Sequence, residues 1–420
     1  MASDTPLEAV TDLVAEEAGV LKHPVFIERG TRAYRNTGMA LFLGGFASFS
    51  LIYCVQPLLP QFAETFQVSP ATSSLALSLT TVALAAAMLV AGPLSQALDR
   101  RALMFTSMAL AAILGIGAGL APNWYALLAL RTLEGAVLGG VPAVAMAWLA
   151  EEIEPAHLGK TMGLYVAGTA FGGISGRIVI GILTEFVSWQ GALAGLSVIC
   201  LAAAIGFRVL LPASRNFVPH RDFHPRVHIA AWTRHLRNPG LLRVFAIAYA
   251  LMSIYVTLYN YLTFRLTAPP YELSQTGIGL VFMTPVLGVI SSAIAGGLAD
   301  RFGRRPLLVA GLVIMFTGIG ITLSTPLPVI ICGMGLISIG FFMTHSVASG
   351  AIGPLAGREK GHATSLYLLF YYLGSSVTGS FGGWVWQHGG WPALAALAGS
   401  IALIGVGLAA TLKSFKDVKV

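Results

Sequence analysis

The chain reads as an all-α polytopic membrane protein whose twelve transmembrane helices form two pseudo-symmetric six-helix bundles. Three features carry that reading. Of 420 residues, 56% are hydrophobic and only 10% are charged, against roughly 25% charged in soluble chains. Twelve apolar runs are long enough to cross about 30 Å of hydrocarbon, which takes about 20 residues each. The two halves also repeat one pattern of glycines, tyrosines, tryptophans and charged loops.

Taken in order, residues 1–36 form a polar N-terminal tail in which Thr5-Pro6-Leu7-Glu8 reads as a capping box opening a short surface helix. The first apolar run, 37–60, is too long for a signal peptide and has no small-residue cleavage site after it, so it stays as a span. The next five runs lie at 71–97, 102–121, 124–149, 160–184 and 189–211, closing an N-terminal bundle over 37–211. A linker, 212–242, leads to runs at 243–266, 275–298, 306–324, 326–349, 362–386 and 391–412. These make a C-terminal bundle over 243–412, followed by a tail over 413–420.

Net charge is +7 and the isoelectric point near 9.4, but the cations are sorted by side rather than gathered on a nucleic-acid face. Twenty-one of the 25 lysines and arginines fall in the tails, the linker and alternate short loops, whereas the other short loops hold none. That asymmetry places both termini and the linker in the cytoplasm. The remaining four are Arg131 and Arg177, well inside spans, and Arg208 and Arg265, near span ends where they can snorkel. Cys54, Cys200 and Cys332 sit in apolar runs with neither disulfide nor zinc spacing. The linker's His220, His224, His228 and His235 lack the close pairs of a structural zinc site, so no metal and no cofactor are expected. No Walker A sequence is present to couple ATP.

Residues 159–189 match 361–391 at a shift of 202, pairing Gly159 with Gly361, Tyr165 with Tyr367, Gly172 with Gly374, Gly181 with Gly383 and Trp189 with Trp391. Residues 92–101 match 296–305 at a shift of 204. Parallel repeats of this kind suit transporters whose cargo binds between two halves near the bilayer midplane.

The residues then resemble a known family, the major facilitator superfamily, in its proton-coupled drug-antiporter-like branch. Gly296-Gly-Leu-Ala-Asp-Arg-Phe-Gly-Arg-Arg305 is close to the superfamily's loop signature, and Arg131-Thr-Leu-Glu-Gly135 is similar to the branch's fourth-helix motif. Gly163, Gly172 and Gly176 keep the intervals of the fifth-helix antiporter motif, with Arg177 where the antiporters have proline. Tyr53-Cys-Val-Gln-Pro57, Gly173-Ile-Ser-Gly-Arg177, His345-Ser-Val-Ala-Ser349 and Tyr371-Tyr-Leu-Gly-Ser-Ser376 resemble bacterial inner-membrane transport proteins of the YnfM type. The resemblance implies a secondary transporter in the bacterial inner membrane, acting as a monomer on a small organic solute and on protons. Export by proton antiport is the leading expectation; proton-coupled uptake of a small anionic or polar solute is the alternative.

Residue roles follow from the resemblance and from physical chemistry together. The loop signature supplies a cytoplasmic gate at Asp300, Arg301, Arg304 and Arg305, with Asp300 latching onto the start of the fifth helix near Gly159; a purely topological role is the alternative. The first-half counterpart is Gln96, Asp99, Arg100 and Arg101, with Gln96 where the family has aspartate. Glu134 is deep in a span three residues from Arg131. A charge there costs at least ~3 kcal/mol unless paired or protonated, so the two form either a proton switch or a static pair. His345 is a second titratable candidate or a histidine bonded to a neighbouring helix. Arg177 leaves positive charge near the cavity unless Glu185 or Glu64 pairs with it. Tyr53, Gln56, Tyr255, Tyr259, Asn260, Tyr371 and Tyr372 complete the expected cavity lining, aromatic faces with a few hydrogen-bonding groups; aromatic residues near span ends also serve as interface anchors. Two further classes compete. Gly173-Ile-Ser175-Gly176 has the glycine-serine pattern of intramembrane serine proteases. A channel suits the repeat and the charged loops less well than alternating access does.

Overall fold

A computed structural model describes residues 26–217, 225–357 and 360–412. The capping box at Thr5–Glu8, His220, Arg221, His224 and the tail 413–420 lie outside these. Helices long and apolar enough to cross a membrane are α1 Arg32–Phe66, α2 Pro70–Ala91, α3 Arg100–Gly119, α4 Trp124–Glu152, α5 Ala156–Phe186, α6 Trp189–Leu210, α7 Pro239–Thr267, α8 Gln275–Phe302, α9 Arg304–Ile321 and α10 Leu327–Ala356. A last helical stretch, Lys360–Ala410, is 51 residues long. It breaks at Gly390, whose φ of 59° is the left-handed region open to glycine, just ahead of Pro392. The break divides it into α11, 360–389, and α12, 391–410, each able to span at 1.5 Å per residue.

Helices α1–α6 pack on one another, chiefly α1 on α5 and α6, α2 on α4 and α3 on α6; α7–α12 repeat the scheme with α7 on α11, α8 and α9 on α10 and α9 on α12. Matched positions do matched work. Ser50 donates to the carbonyl of Gly172 at 3.0 Å, and Ser253 donates to that of Gly374 at 3.3 Å. The matched tryptophans each hold a threonine, though on different helices: Trp189 donates to Thr65 of α1 at 3.2 Å and Trp391 to Thr322 at the end of α9 at 3.1 Å. The repeat is therefore one of structure as well as sequence.

Both termini of the described chain and the linker lie at one end of the molecule, the linker end. At the opposite, far end the bundles meet along two seams, α5 on α8 and α2 on α11. Gly181 and Gly383, partners in the repeat, sit in these seams. A Cβ on Gly181 would meet the Gln275 carbonyl at 2.6 Å, and one on Gly383 would run into the Ala71 backbone. Thr81 and Ser376 hydroxyls bond across α2 and α11 at 2.8 Å, Ser380 donates to Ser78 at 3.0 Å, and Glu185 accepts from the Thr276 N–H at 3.0 Å. Toward the linker end nothing lies within 4 Å of a Cβ built on Gly159, Gly163, Gly296, Gly297, Gly350 or Gly361. On the α5–α8 side the contact is made chiefly by Gln275–Val281, so these two helices diverge toward the linker end and leave a cleft between them, whereas α2 stays packed on α11 into its linker-side half.

The linker helix, Pro225–Leu236, packs on α11 and α7. His228 Nδ1 lies 2.8 Å from His362 Nε2, and Trp232 donates to Ser365 at 3.3 Å. No group of three or more metal-ligating side chains occurs among the described residues.

Candidate functional site: a polar belt at mid-depth

The first helical stretch of α1 ends at Tyr53, ahead of Pro57, which has no N–H to return to the Tyr53 carbonyl. Helix end and charge meet at this break. Arg131 of α4, fully buried, donates from Nη1 to the Leu51 carbonyl at 3.0 Å and from Nη2 to that of Ile52 at 2.9 Å. Its Nε donates to the Ala76 carbonyl of α2 at 3.2 Å, and Nη1 also donates to Glu134 Oε2 at 2.6 Å. Gly135, next along α4, lets that helix lie directly on the Thr80 backbone of α2. Glu134 is likewise fully buried, and its Oε1 has no hydrogen-bond partner. Burying a carboxylate is tolerable when it is paired, and here only one of its two oxygens is.

On the other side of α1, Arg177 of α5 donates from Nε to Gln56 Oε1 at 2.6 Å and from Nη1 to the Gly173 carbonyl. Gln56 Nε2 donates on to Asn260 Oδ1 of α7 at 2.7 Å. Gln56 and Asn260 are 204 residues apart, the shift of the loop repeat, so the bond joins pseudo-equivalent positions of the two bundles. The Arg177 guanidinium carbon stands 4.5 Å from the centre of the Tyr53 ring and 5.1 Å from that of Phe282, a cation–π sandwich. Neither Glu185, which holds the Thr276 N–H, nor Glu64 forms an ion pair with Arg177. The pairing with those carboxylates considered from sequence is not present. Arg131, Glu134, Gln56, Arg177 and Asn260 all lie about 10–15 Å inside the far end at 1.5 Å per residue.

The C-terminal bundle faces this belt with an aromatic wall. Tyr255 stacks on Phe341 with centroids 4.2 Å apart, and His345 lies against Tyr371 at 4.9 Å. His345 Nδ1 is 2.9 Å from the Tyr367 hydroxyl. Tyr371 is half-buried, whereas Tyr372 is buried and edge-on to it at 5.2 Å. A π-helical turn, Gly374–Thr378, follows directly, a feature frequent at functional sites. Tyr259 points away into its own bundle, where its hydroxyl bonds Thr284 at 2.6 Å and Ser338 at 2.8 Å. Ser175 donates to the Phe171 carbonyl at 2.6 Å, an ordinary intrahelical bond, and no histidine among the described residues bonds it.

The charged loops lie at the linker end. Asp99 caps α3 through the Ala102 N–H at 2.8 Å, and Gln96 is exposed. Arg100 pairs with Glu151 at 2.8 Å and lies over Phe217, while Arg101 donates to the Arg208 carbonyl at 2.6 Å. Both arginines therefore brace the N-terminal bundle against its own α4 and α6. Asp300, Arg301 and Arg305 are exposed and Arg304 half-buried; no ion pair reaches Asp300 among the described residues. One buried acid escaped sequence reasoning. Glu152, at the end of α4, accepts the N–H groups of Arg215 and Asn216 at 2.8 and 3.0 Å and so anchors the start of the linker.

Comparison with known proteins agrees with this architecture. The chain is 39% identical over 387 residues to the MFS-type transporter YybF of Bacillus subtilis (strain 168), covering 92% of this chain and 96% of that one. It is 39% identical over 381 residues to the inner membrane transport protein YnfM of Escherichia coli (strain K12), covering 91% of each. Its fold matches the crystal structure of a bacterial homologue of the human lysosomal transporter Spinster, in an inward-facing and unoccupied conformation, with a TM-score of 0.67 at 14% identity, over 92% of this chain and 95% of that one. Since the family model for the Major Facilitator Superfamily also matches residues 41–270 and 263–418, this multi-pass membrane protein belongs to the major facilitator superfamily of transporters.

Proposed function

We propose that the protein is a proton-coupled secondary transporter that exports a small organic solute from the bacterial cytoplasm by alternating access, in exchange for protons. The observation that carries the proposal is the buried Arg131–Glu134 pair, with Glu134 Oε1 left without a partner. One buried carboxylate held by one guanidinium is a two-position device. Paired, it stays ionised; when a movement of α1, whose Leu51 and Ile52 carbonyls Arg131 also holds, carries the guanidinium away from Glu134, the carboxylate takes up a proton instead. Because Arg131 touches α1 and α2 as well as Glu134, its movement ties proton uptake to a shift of the helices lining the cleft.

Positive charges concentrated at the linker end support a cytoplasmic location for that end and for both termini. In this conformation the cleft then opens to the cytoplasm and closes at the periplasmic side. The solute enters from the cytoplasm and settles at the polar belt against the aromatic wall of Tyr255, Tyr371 and Tyr372. As the bundles rock, the Gly181 and Gly383 seams part and the linker end closes, with Asp300 reaching the start of α5 near Gly159 and Arg301, Arg304 and Arg305 beside it. His345 serves to line the aromatic wall, and a monomer suffices because the repeat supplies both halves of the gate.

Purified protein in vesicles with an imposed pH gradient, screened against labelled solutes, tests the proposal. Proton-driven flux that disappears in Glu134→Gln is the expected result; a variant that still accumulates solute against its gradient removes Glu134 as the carrier.

A further inference from the structure

One charge in the polar belt is unanswered. Arg177 is buried to within 4% of full exclusion, yet no carboxylate forms an ion pair with it among the described residues. Of its five N–H donors, acceptors are present for Nε, at Gln56, and for Nη1, at Gly173. Its Nη2 has no acceptor and is not among the fully enclosed polar atoms, so that edge of the guanidinium still meets open space. The rings of Tyr53 and Phe282 hold the plane in place without neutralising it.

Resting on the transport reading, we infer that the solute is an anion whose carboxylate, sulfonate or phosphate group docks on the free edge of Arg177. There the planar fork suits two-point recognition of such a group. Docking also acts on the gate. Gln56 is held by two contacts, accepting from Arg177 and donating to Asn260, and the second is a bond that joins the bundles at mid-depth, alongside Thr81–Ser376. An anion that draws Nε away leaves Gln56 Oε1 a buried acceptor without a donor while the far end stays closed. Asn260 Nδ2 is already without a partner in this conformation. Cargo binding therefore weakens the Gln56–Asn260 tie and favours parting of the far end. Arg177 reads the charge, and Gln56 relays its occupancy to Asn260.

The test is binding to purified full-length protein at fixed ionic strength, followed by thermal shift. The probes are benzoate, benzenesulfonate and phenyl phosphate against neutral benzamide and cationic benzylamine. At least one anion should bind, with affinity falling about 30-fold in Arg177→Gln, as for truncation of one partner of a buried charge pair. Gln56→Glu, which supplies an internal carboxylate to Arg177, should lose binding similarly, and Arg177→Lys should restore part of it. Nitroxide labels at positions 188 and 272, on opposite bundles at the far end, in a Cys332→Ser background, should move apart when the anion binds. The inference is overturned if no anion binds, if Arg177→Gln binds anions as well as the parent, or if the neutral or cationic probes bind best. Unchanged label distances on anion binding overturn the relay. Flux measured beside binding in the parent separates the two readings: anion binding without any pH-driven flux sinks proton coupling alone, and pH-driven flux of a neutral solute with no anion bound sinks only the anion.

Discussion

Replacing Arg131 with methionine removes the cation from a site where four acceptors converge on it: Glu134 Oε2 at 2.6 Å and the carbonyls of Ile52, Leu51 and Ala76 at 2.9, 3.0 and 3.2 Å. Leaving the buried carboxylate uncompensated costs about 3–5 kcal/mol. Each carbonyl that loses its donor adds about 1 kcal/mol, so Arg131→Met should destabilise by about 6–8 kcal/mol. In the double variant Arg131→Met with Glu134→Gln no charge remains, and only the carbonyl losses of about 3 kcal/mol persist. The double variant should therefore be more stable than the single one by at least about 2 kcal/mol, an inversion that arises only if Glu134 is ionised in the folded protein. Equilibrium unfolding in mixed micelles measures both. The deficit of the single variant should also shrink as the pH is lowered, because a protonated carboxylate needs no cation. A double variant no more stable than Arg131→Met would refute the ion-pair account and the proton switch built on it.

Other consequences are more direct. Gly181→Leu or Gly383→Leu places a side chain where the Gln275 carbonyl or the Ala71 backbone now lies; each should wedge the far end open, raising labelling of a cysteine placed at position 71 or 275 by an impermeant maleimide several-fold. Asp300→Asn should leave membrane insertion and the present conformation unchanged, because Asp300 is exposed here, yet slow turnover several-fold in a flux assay if the latch forms in the opposite state. In intact cells an impermeant reagent should modify cysteines at positions 188 and 272 and reach one at position 233 only after permeabilisation; the reverse pattern would invert the assigned orientation.

Much of the architecture was legible in the chain because the bilayer enforces it: about 20 apolar residues per crossing and cations on one side are consequences of solvation. The constant shift of 202 exposes the repeat, and Gly181 with Gly383 keeps equivalent surroundings, each in a seam against the paired helix of the other bundle. Span ends were less legible. The apolar pattern of the tenth run ends at 349, whereas α10 is Leu327–Ala356, since a helix satisfies its own backbone and continues past the hydrocarbon boundary. Arg131 and Glu134 were adjacent in sequence at helical spacing, so their pairing could be anticipated. By contrast, the contacts of Arg177 with Gln56 across 121 residues, and of Gln56 with Asn260 across 204, depend on how two bundles meet. The shift of 204 between Gln56 and Asn260 was the one signal that could have joined them. Glu152 was overlooked because a carboxylate at a span end reads as solvated, and its role became visible only when the linker backbone returned to it.

The claim beneath all of this is that two bundles exchange which end is closed. Spin labels at positions 188 and 272 report the far end, and labels at positions 160 and 298, on exposed turns of α5 and α8, report the linker end. In bilayers, as the pH is lowered or Gly181→Leu is introduced, the first pair should lengthen in the same fraction of molecules in which the second shortens. Both pairs lengthening together would indicate a channel-like opening and contradict alternating access.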